Sequence, residues 1–333
     1  MYPVCGRFFC VFRDIDVKLD DFMLHCESKM LSRKTMASYE QSVRLFAHYL
    51  EDVKGVTNAK DVKTEHIRAY IKYLRERGKY TVVSEEFTRE ANSPQNRPDI
   101  GKEISDATIG NYVRNLKVFF RYLKEEREIK TNPAKPIENI KPSRKKKQLL
   151  SEQELKALMR SFDITSFYGY RSYTITRLLL DTGMRIGECL DLVPDDIDFK
   201  NKAIHVRNPK NKKERFVFFS PKLKQELRRW VYYRDRYCDS ELLFPTNRGT
   251  KLTPSSYEKT LRGIGRQLGV DITPHQLRNN FAKYYLLNGG DIISLSRILG
   301  HSNAETTKVY LDFDEGELGQ KYQRHSPMDK LNI

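Results

Sequence analysis

The sequence has no apolar run of the roughly 18 residues that a membrane-spanning helix requires, and only 39% of its 333 residues are hydrophobic. A transmembrane protein is excluded. Cysteine is scarce and odd in number: Cys5, Cys10, Cys26, Cys189 and Cys238 are scattered without a CxxC pair. That excludes a disulfide-stapled scaffold and a cysteine-rich zinc site, and it fits reduced thiols in a reducing compartment. Cys5 and Cys10 have no nearby histidine and read as ordinary apolar side chains. The opening Met1 to Phe12 is apolar but too short to span, and it lacks the charged start and small-residue cleavage site of a signal peptide. The expectation is a cytoplasmic protein. Acidic charge is also short: 44 Asp and Glu face 60 Lys and Arg, for a formal net charge of +16.

An excess of that size on a folded chain answers a polyanion, with nucleic acid first among the classes. Residues 1–147 carry 30 basic against 21 acidic side chains, and residues 148–333 carry 30 against 23. Both halves therefore face the polyanion, and neither is a mere basic tail. At one domain per ~150 residues the length suggests two domains, each able to bury its own core.

Residues 1–140 read as a small bundle of four helices. Lys18 to Lys29 is the weakest segment; Ser32 precedes a stretch to Asp52, Thr64 one ending at Gly78, and Asp106 opens one to about Glu126. In the last, Ile109, Tyr112, Val113, Leu116, Phe119, Phe120 and Leu123 recur at three and four, the stripe of a packed helix. Residues 79–104 interrupt the pattern with Val, Thr, Pro, Asn and Gly and read as a β-prone loop or hairpin inserted between two helices. Residues 128–148 contain three prolines and end in Lys141 and the run Arg144, Lys145, Lys146, Lys147, which makes 141–150 a basic interdomain linker. A charge run is commonly just solvated; between two basic domains, phosphate contact is the better reading.

From Ser151 the expected domain is mostly helical with a small sheet. Ser151 and Glu154 form a capping box, and a second helix through Ile175 and Leu178 to Leu180 stops at Asp181-Thr182-Gly183. Ala203 to Val206 and Phe216 to Phe219 flank a polar, positive turn, the pattern of a β-hairpin. Helices follow at Pro221–Tyr237, Pro254–Leu268, Pro274–Asn288, Asp291–Leu299 and Ala304 to about Tyr310, with Thr253 and Thr273 each capping before a proline. Asp195, Asp196 and Asp198 read as an acidic turn before a strand, not a metal cluster.

Several polar residues in this half stand where local structure does not need them. Arg185 lies in TGMRIGE at a helix junction, Lys210 in the hairpin turn, and His275 and Arg278 three apart in PHQLR. His301 lies in LGHS at a helix end, where Ser302 and Glu305 pattern a capping box, and Tyr310 follows nine residues later. Singly, each has an ordinary explanation as a surface ion pair, a cap or a packing group. Together they are what metal-free attack on a phosphodiester needs. Arginine forks bind the non-bridging oxygens and their growing charge, lysine protonates a leaving alkoxide, histidine moves or holds a proton, and tyrosine is a covalent nucleophile.

In order and spacing, TGMRIGE, the hairpin lysine of NPKNKKERF, HQLR, LGHS and the later tyrosine resemble the catalytic domain of tyrosine recombinases, the integrase family that includes the Xer proteins. The resemblance covers about 148–315, and the helical first domain with its linker is similar to the family's core-binding domain. It implies a mainly α fold: an N-terminal SAM-like helical bundle over 1–140, then a mixed helical catalytic domain with a small sheet over 151–315, clamped around duplex DNA. It also implies that Arg185 and Arg278 bind the scissile phosphate, that Lys210 donates to the departing 5′ oxygen, that His275 and His301 hydrogen-bond the phosphate and manage protons, and that Tyr310 forms a 3′-phosphotyrosyl bond. Lys212 and Lys213 share the turn with Lys210; matching the family's hairpin pattern onto Lys213-Glu214-Arg215 selects Lys210. Glu188, matching an acidic residue after the first arginine, reads as supporting the fold. The covalent link keeps the bond energy, so neither ATP nor a metal cofactor is required.

Exchange of four strands implies a homo-tetramer on two double-stranded DNA recombination sites, with residues 316–333 as a tail docked on a neighbouring subunit and an accessory directionality factor as a further partner of such systems. A type IB topoisomerase uses a similar set of residues as a monomer, and a catalytically silent DNA-binding regulator would keep only the fold; the complete residue set argues against the latter. The role lies between integration or excision of a mobile element and Xer-type resolution, and the 79–104 insertion leans toward the mobile element.

Overall fold

The computed structural model describes residues 13–82, 98–140, 149–207, 214–301, 303, 305–311, 313 and 315–325. The chain divides into two compact units, Met1–Lys145 and Lys146–Ile333. The basic residues Lys141 and Arg144 to Lys147, and Lys210, lie outside the described residues.

The first unit contains α1 (Asp14–Ser28), α2 (Arg33–Tyr49), α3 (Thr64–Glu76) and α4 (Asp106–Glu125). The first of these starts four residues earlier than the sequence pattern suggested. Its first turn carries Asp14 and Asp16, which favour the positive end of the helix dipole, and Arg13 Nε donates to Asp16 Oδ2 at 2.5 Å. Ser32 and Ser105 cap α2 and α4 by accepting from Thr35 and Thr108 backbone N–H groups. Beyond Tyr49, α2 widens into a π-type turn over Leu50–Lys54 and ends at Gly55, later than the Asp52 expected. The core joins the apolar stripe of α4 to Leu19, Phe22, Phe46, Tyr70 and Leu74. Buried Asn115 ties α4 to α2, its Nδ2 donating to Ser42 Oγ at 2.8 Å and to the Ser38 carbonyl at 3.0 Å. The ends of the interrupting segment are paired, with Lys79 N–H donating to Lys102 O at 2.8 Å and Gly101 N–H to Lys79 O at 2.9 Å; residues 83–97 between them lie outside the described residues.

The second unit runs α5 (Glu152–Arg160), α6 (Phe167–Thr182), α7 (Ile186–Leu190), β1 (Ile197–Asp198), β2 (Ala203–Val206), β3 (Arg215–Phe218), α8 (Pro221–Asp235), α9 (Pro254–Leu268), α10 (Pro274–Leu287), α11 (Ile292–Leu299), α12 (Glu305–Lys308) with a 3-10 turn over Val309–Leu311, and α13 (Glu315–His325). The expected capping box at Ser151/Glu154 is formed, and Thr273, expected to cap α10, forms one with Gln276. Before α12, the Glu305 N–H goes to Asn303 Oδ1 at 2.9 Å; Ser302, the cap expected from the sequence, is outside the described residues. The acidic turn before β1 satisfies its own backbone: Asp196 accepts from Val193 N–H and Asp198 from Lys200 and Asn201 N–H.

The sheet is antiparallel in the order β1-β2-β3, with Ile204 opposite both Ile197 and Val217. Strand alternation turns Ile204, Val206 and Val217 inward and leaves Phe216 and Phe218 exposed. The core continues through Leu158, Ile175, Leu178, Leu227 and Trp230. A smaller cluster of Ala282 and Leu286 from α10 with Leu295 and Leu299 from α11 holds Tyr310. No helix among the described residues is long and apolar enough to cross a membrane.

Candidate active site

The site begins where α6 stops. Gly183 closes that helix in the left-handed region at φ +63°, and a Cβ there would lie 2.1 Å from Phe281 Cδ1 on α10. Only glycine allows both the turn and the approach. The approach lets the Gly183 carbonyl accept from Arg278 Nη1 at 2.7 Å. Arg185 follows as the extended residue before α7, its backbone N–H donating to Glu188 Oε2 at 2.9 Å and its Nη1 to Glu188 Oε1 at 2.8 Å. Burial works against charge on Glu188, but the hydrogen bonds and charge of Arg215 and the contacts from Arg185 outweigh it, so the carboxyl sits below its ordinary value.

Carbonyls at and just past the end of α11, the negative end of the helix dipole, face this junction. Ile298 O accepts from Arg215 Nε at 2.9 Å, Leu299 O from Arg278 Nη2 at 2.7 Å, and Gly300 O from Arg185 Nη2 at 3.4 Å. Three successive carbonyls thus gather three guanidinium groups from a helix junction, a strand and α10, two of which share the carboxylate of Glu188.

Arg278 is only 4% exposed. Burial, helped by the positive charge of Arg185, lowers its pKa to about 10, so it stays protonated at neutral pH. Its Nη2 also lies 3.1 Å from His301 Nε2. A guanidinium has no acceptor, so the imidazole nitrogen is the acceptor in this contact, and the other ring nitrogen, Nδ1, faces Thr307 Oγ1 at 2.8 Å. The His301 ring is thus held from both sides.

Tyr310 sits in the 3-10 turn after α12, 6% exposed, with its ring nearly parallel to that of His301 at 6.5 Å. Its hydroxyl donates to Asn279 Oδ1 at 3.0 Å. Burial raises the pKa of the phenol, while the charges of Arg278 and Arg185 and a hydrogen bond from Arg278 pull it down. Arg185, Arg278, His301 and Tyr310 are thus brought together as the sequence motifs suggested. His275 is one turn before Arg278 at the exposed start of α10, so the two residues spaced to share a face differ sharply in burial.

Two residues in the cluster escaped the motif reading. Arg215 opens β3, one residue before the strand start expected from the sequence, and Asn279 stands beside Arg278. The signal for Arg215 was available, because alternation with inward Val217 places a charge at a core-facing strand position. Asn279 left no such mark. The assembled groups, a cluster of guanidinium groups with an imidazole and a phenol, are of the kinds that bind a tetrahedral anion and deliver an oxygen nucleophile to it.

The phage integrase family model matches residues 148–317, just over half of the chain, and the phage integrase N-terminal SAM-like domain matches residues 19–86. The chain belongs to the phage integrase family. It is 26% identical over 305 residues to tyrosine recombinase XerD of Listeria monocytogenes serotype 4b, covering 89% of this chain and 94% of that one. It is 30% identical over 291 residues to tyrosine recombinase XerA of Pyrococcus furiosus, covering 82% and 98%. The Tn1549 transposon integrase, solved with a circular intermediate DNA, shares the fold at a TM-score of 0.71 and 18% identity, with 94% of this chain and 99% of that one covered. Among its described residues this tyrosine recombinase is mainly helical with one small three-stranded sheet, as its sequence led us to expect.

Proposed function

We propose that this tyrosine recombinase binds duplex DNA through both units and cuts and rejoins its strands by way of a 3′-phosphotyrosine at Tyr310. The observation that carries this reading is the buried guanidinium of Arg278, hydrogen-bonded to two carbonyls and to His301 with the Tyr310 phenol alongside. Among the described residues no carboxylate forms a direct ion pair with Arg278, and a phosphodiester would supply that partner. In the cleavage step, the Tyr310 oxygen bonds to phosphorus and the bond from phosphorus to the 5′ oxygen breaks. The tyrosine gives up its proton as it attacks, and Lys210 supplies one to the leaving oxygen. Arg185 and Arg278 meet the charge on the non-bridging oxygens, and His275 and His301 hydrogen-bond the phosphate and manage protons. Attack by a 5′ hydroxyl from another strand reverses the step without ATP or metal.

Cutting four strands takes four sites, so the working form is a homo-tetramer on two duplexes, with residues 316–333 reaching a neighbouring subunit. Helix α13 supports this with Leu318 and Tyr322 exposed four residues apart, one face of a helix suited to a partner groove. The basic run Lys141 and Arg144 to Lys147 contacts backbone phosphates.

The decisive assay uses DNA recovered by sequencing what is covalently trapped on the protein in cells. Two duplexes bearing the recovered site are incubated with the protein in EDTA without ATP. Recombinant products support the reading. Supercoil relaxation without exchange favours a type IB topoisomerase, and binding without cleavage favours a silent regulator.

A further inference from the structure

Arg215 stands outside the set of residues assigned to the phosphate, yet it is built into the same frame. Its side chain is 9% exposed and makes a two-pronged contact with Glu188, Nη1 to Oε1 at 3.1 Å and Nη2 to Oε2 at 2.7 Å. Its Nε donates to Ile298 O at 2.9 Å, and a Cβ on neighbouring Gly300 would lie 3.0 Å from this side chain. The same two carboxylate oxygens hold Arg185, Oε1 through Nη1 and Oε2 through the backbone N–H. Glu188 is therefore shared, with each oxygen divided between the two arginines.

The sharing has an electrostatic and a geometric consequence. Without Arg215, a buried carboxylate stripped of two donors would turn toward Arg185 and close a full two-pronged pair with it, because a buried anion cannot be left unsatisfied. That pair would neutralise Arg185 and occupy the edge of the fork that a phosphate needs. With Arg215 in place, the carboxylate plane is fixed, its charge is offset, and Arg185 keeps donors to spare.

We propose that Arg215 is a positioning residue for DNA cleavage: by clamping Glu188 and the Ile298 carbonyl, it holds Arg185 oriented toward the scissile phosphate with donors to spare. The proposal rests on the assignment of Arg185 to that phosphate, and the test separates the two. Single-turnover cleavage of a nicked duplex bearing the recovered site is measured at saturating protein for Arg215→Gln, Arg215→Lys, Arg185→Lys and the two double variants, alongside DNA affinity and urea unfolding followed at Trp230. Loss of an outer partner that orients a reacting group costs about 10- to 100-fold, so Arg215→Gln is expected to slow cleavage by that factor with affinity within about 3-fold. Arg215→Lys recovers part of the loss, since an ammonium keeps the charge without the fork. In the Arg185→Lys background, Arg215→Gln adds less than about 3-fold, because residues acting as one unit are not additive. A residue that merely holds the fold gives effects that multiply in that background and follow the unfolding midpoint, and this result overturns the proposal. Cleavage by Arg215→Gln within about 3-fold of wild type overturns it as well. Should Arg215→Gln fail to fold, the Arg215→Lys pair of variants carries the same cycle. Wild-type cleavage by Arg185→Lys overturns the underlying assignment before Arg215 is considered.

Discussion

Replacing Gly183 with alanine puts one methyl group into a junction that has no room for it. The backbone there is left-handed, φ +63°, which costs a residue with a Cβ ~1–2 kcal/mol. The new Cβ would start 2.1 Å from Phe281 Cδ1, so the ring or the helix end must shift, an overpacking cost of ~1–3 kcal/mol. Together these give about 2–5 kcal/mol, all within the second unit. Trp230 is the sole tryptophan and is fully buried in that unit, so its fluorescence in urea reports this unit alone. With a denaturant slope near 2 kcal/mol per M, the midpoint should fall by about 1–2.5 M. Because the Gly183 carbonyl holds Arg278 Nη1, cleavage should fall as well under conditions where the variant is still folded. Gly187→Ala is the control: its Cβ meets nothing within 4 Å, and in a helix the change is neutral or stabilising by up to ~1 kcal/mol. A Gly183→Ala midpoint indistinguishable from wild type would refute the idea that the close approach of α6 to α10 builds the site.

Three further outcomes follow from the same geometry. Arg185→Ala and Arg278→Ala should each lower single-turnover cleavage by ~10² or more with a far smaller loss of DNA binding, and lysine should restore only part; cleavage within a few-fold of wild type in both would defeat the phosphate assignment. Tyr257 is fully buried beside Thr176, and burial raises its pKa from 10.0. The folded state therefore holds a proton that the unfolded state releases, and the stability this provides is intact below pH 10 and lost as pH rises toward the native value. Above pH 10 the unfolding free energy read at Trp230 should fall by an extra ~1.4 kcal/mol per pH unit that Tyr257→Phe lacks; equal slopes would contradict the sign. Neutralising Arg144, Lys145, Lys146 and Lys147 together should weaken specific and random DNA alike and flatten the salt slope, log K against log[salt], by roughly 2 to 4; a loss confined to the specific site would mean that the linker reads bases.

What the sequence made legible was local. Caps such as Ser151 with Glu154, the stripe of α4 and the hairpin alternation each follow from neighbours a few residues apart, and each element formed within a few residues of its expected ends. The widened turn at Leu50–Lys54 was not foreseeable, because nothing in LEDVK breaks a helix before Gly55. The convergence of Arg185, Arg278, His301 and Tyr310 was legible only as an ordered set of motifs. The contacts that build it span 115 residues from Arg185 to Gly300 and 95 from Gly183 to Arg278, beyond any periodicity. Arg215 and Asn279 were missed for the same reason: Arg215 meets Glu188 from 27 residues away, and Asn279 meets Tyr310 from 31.

The central claim is that Tyr310 becomes bonded to DNA. A nicked duplex that traps the cleaved product, incubated with the protein and then digested, allows the modified peptide to be mapped by mass spectrometry, with Tyr310→Phe beside it. The account predicts a phosphodiester-linked nucleotide on Tyr310 and, in the variant, undiminished DNA binding with no adduct. An adduct on Tyr284 or Tyr285, or wild-type adduct levels in Tyr310→Phe, would contradict it.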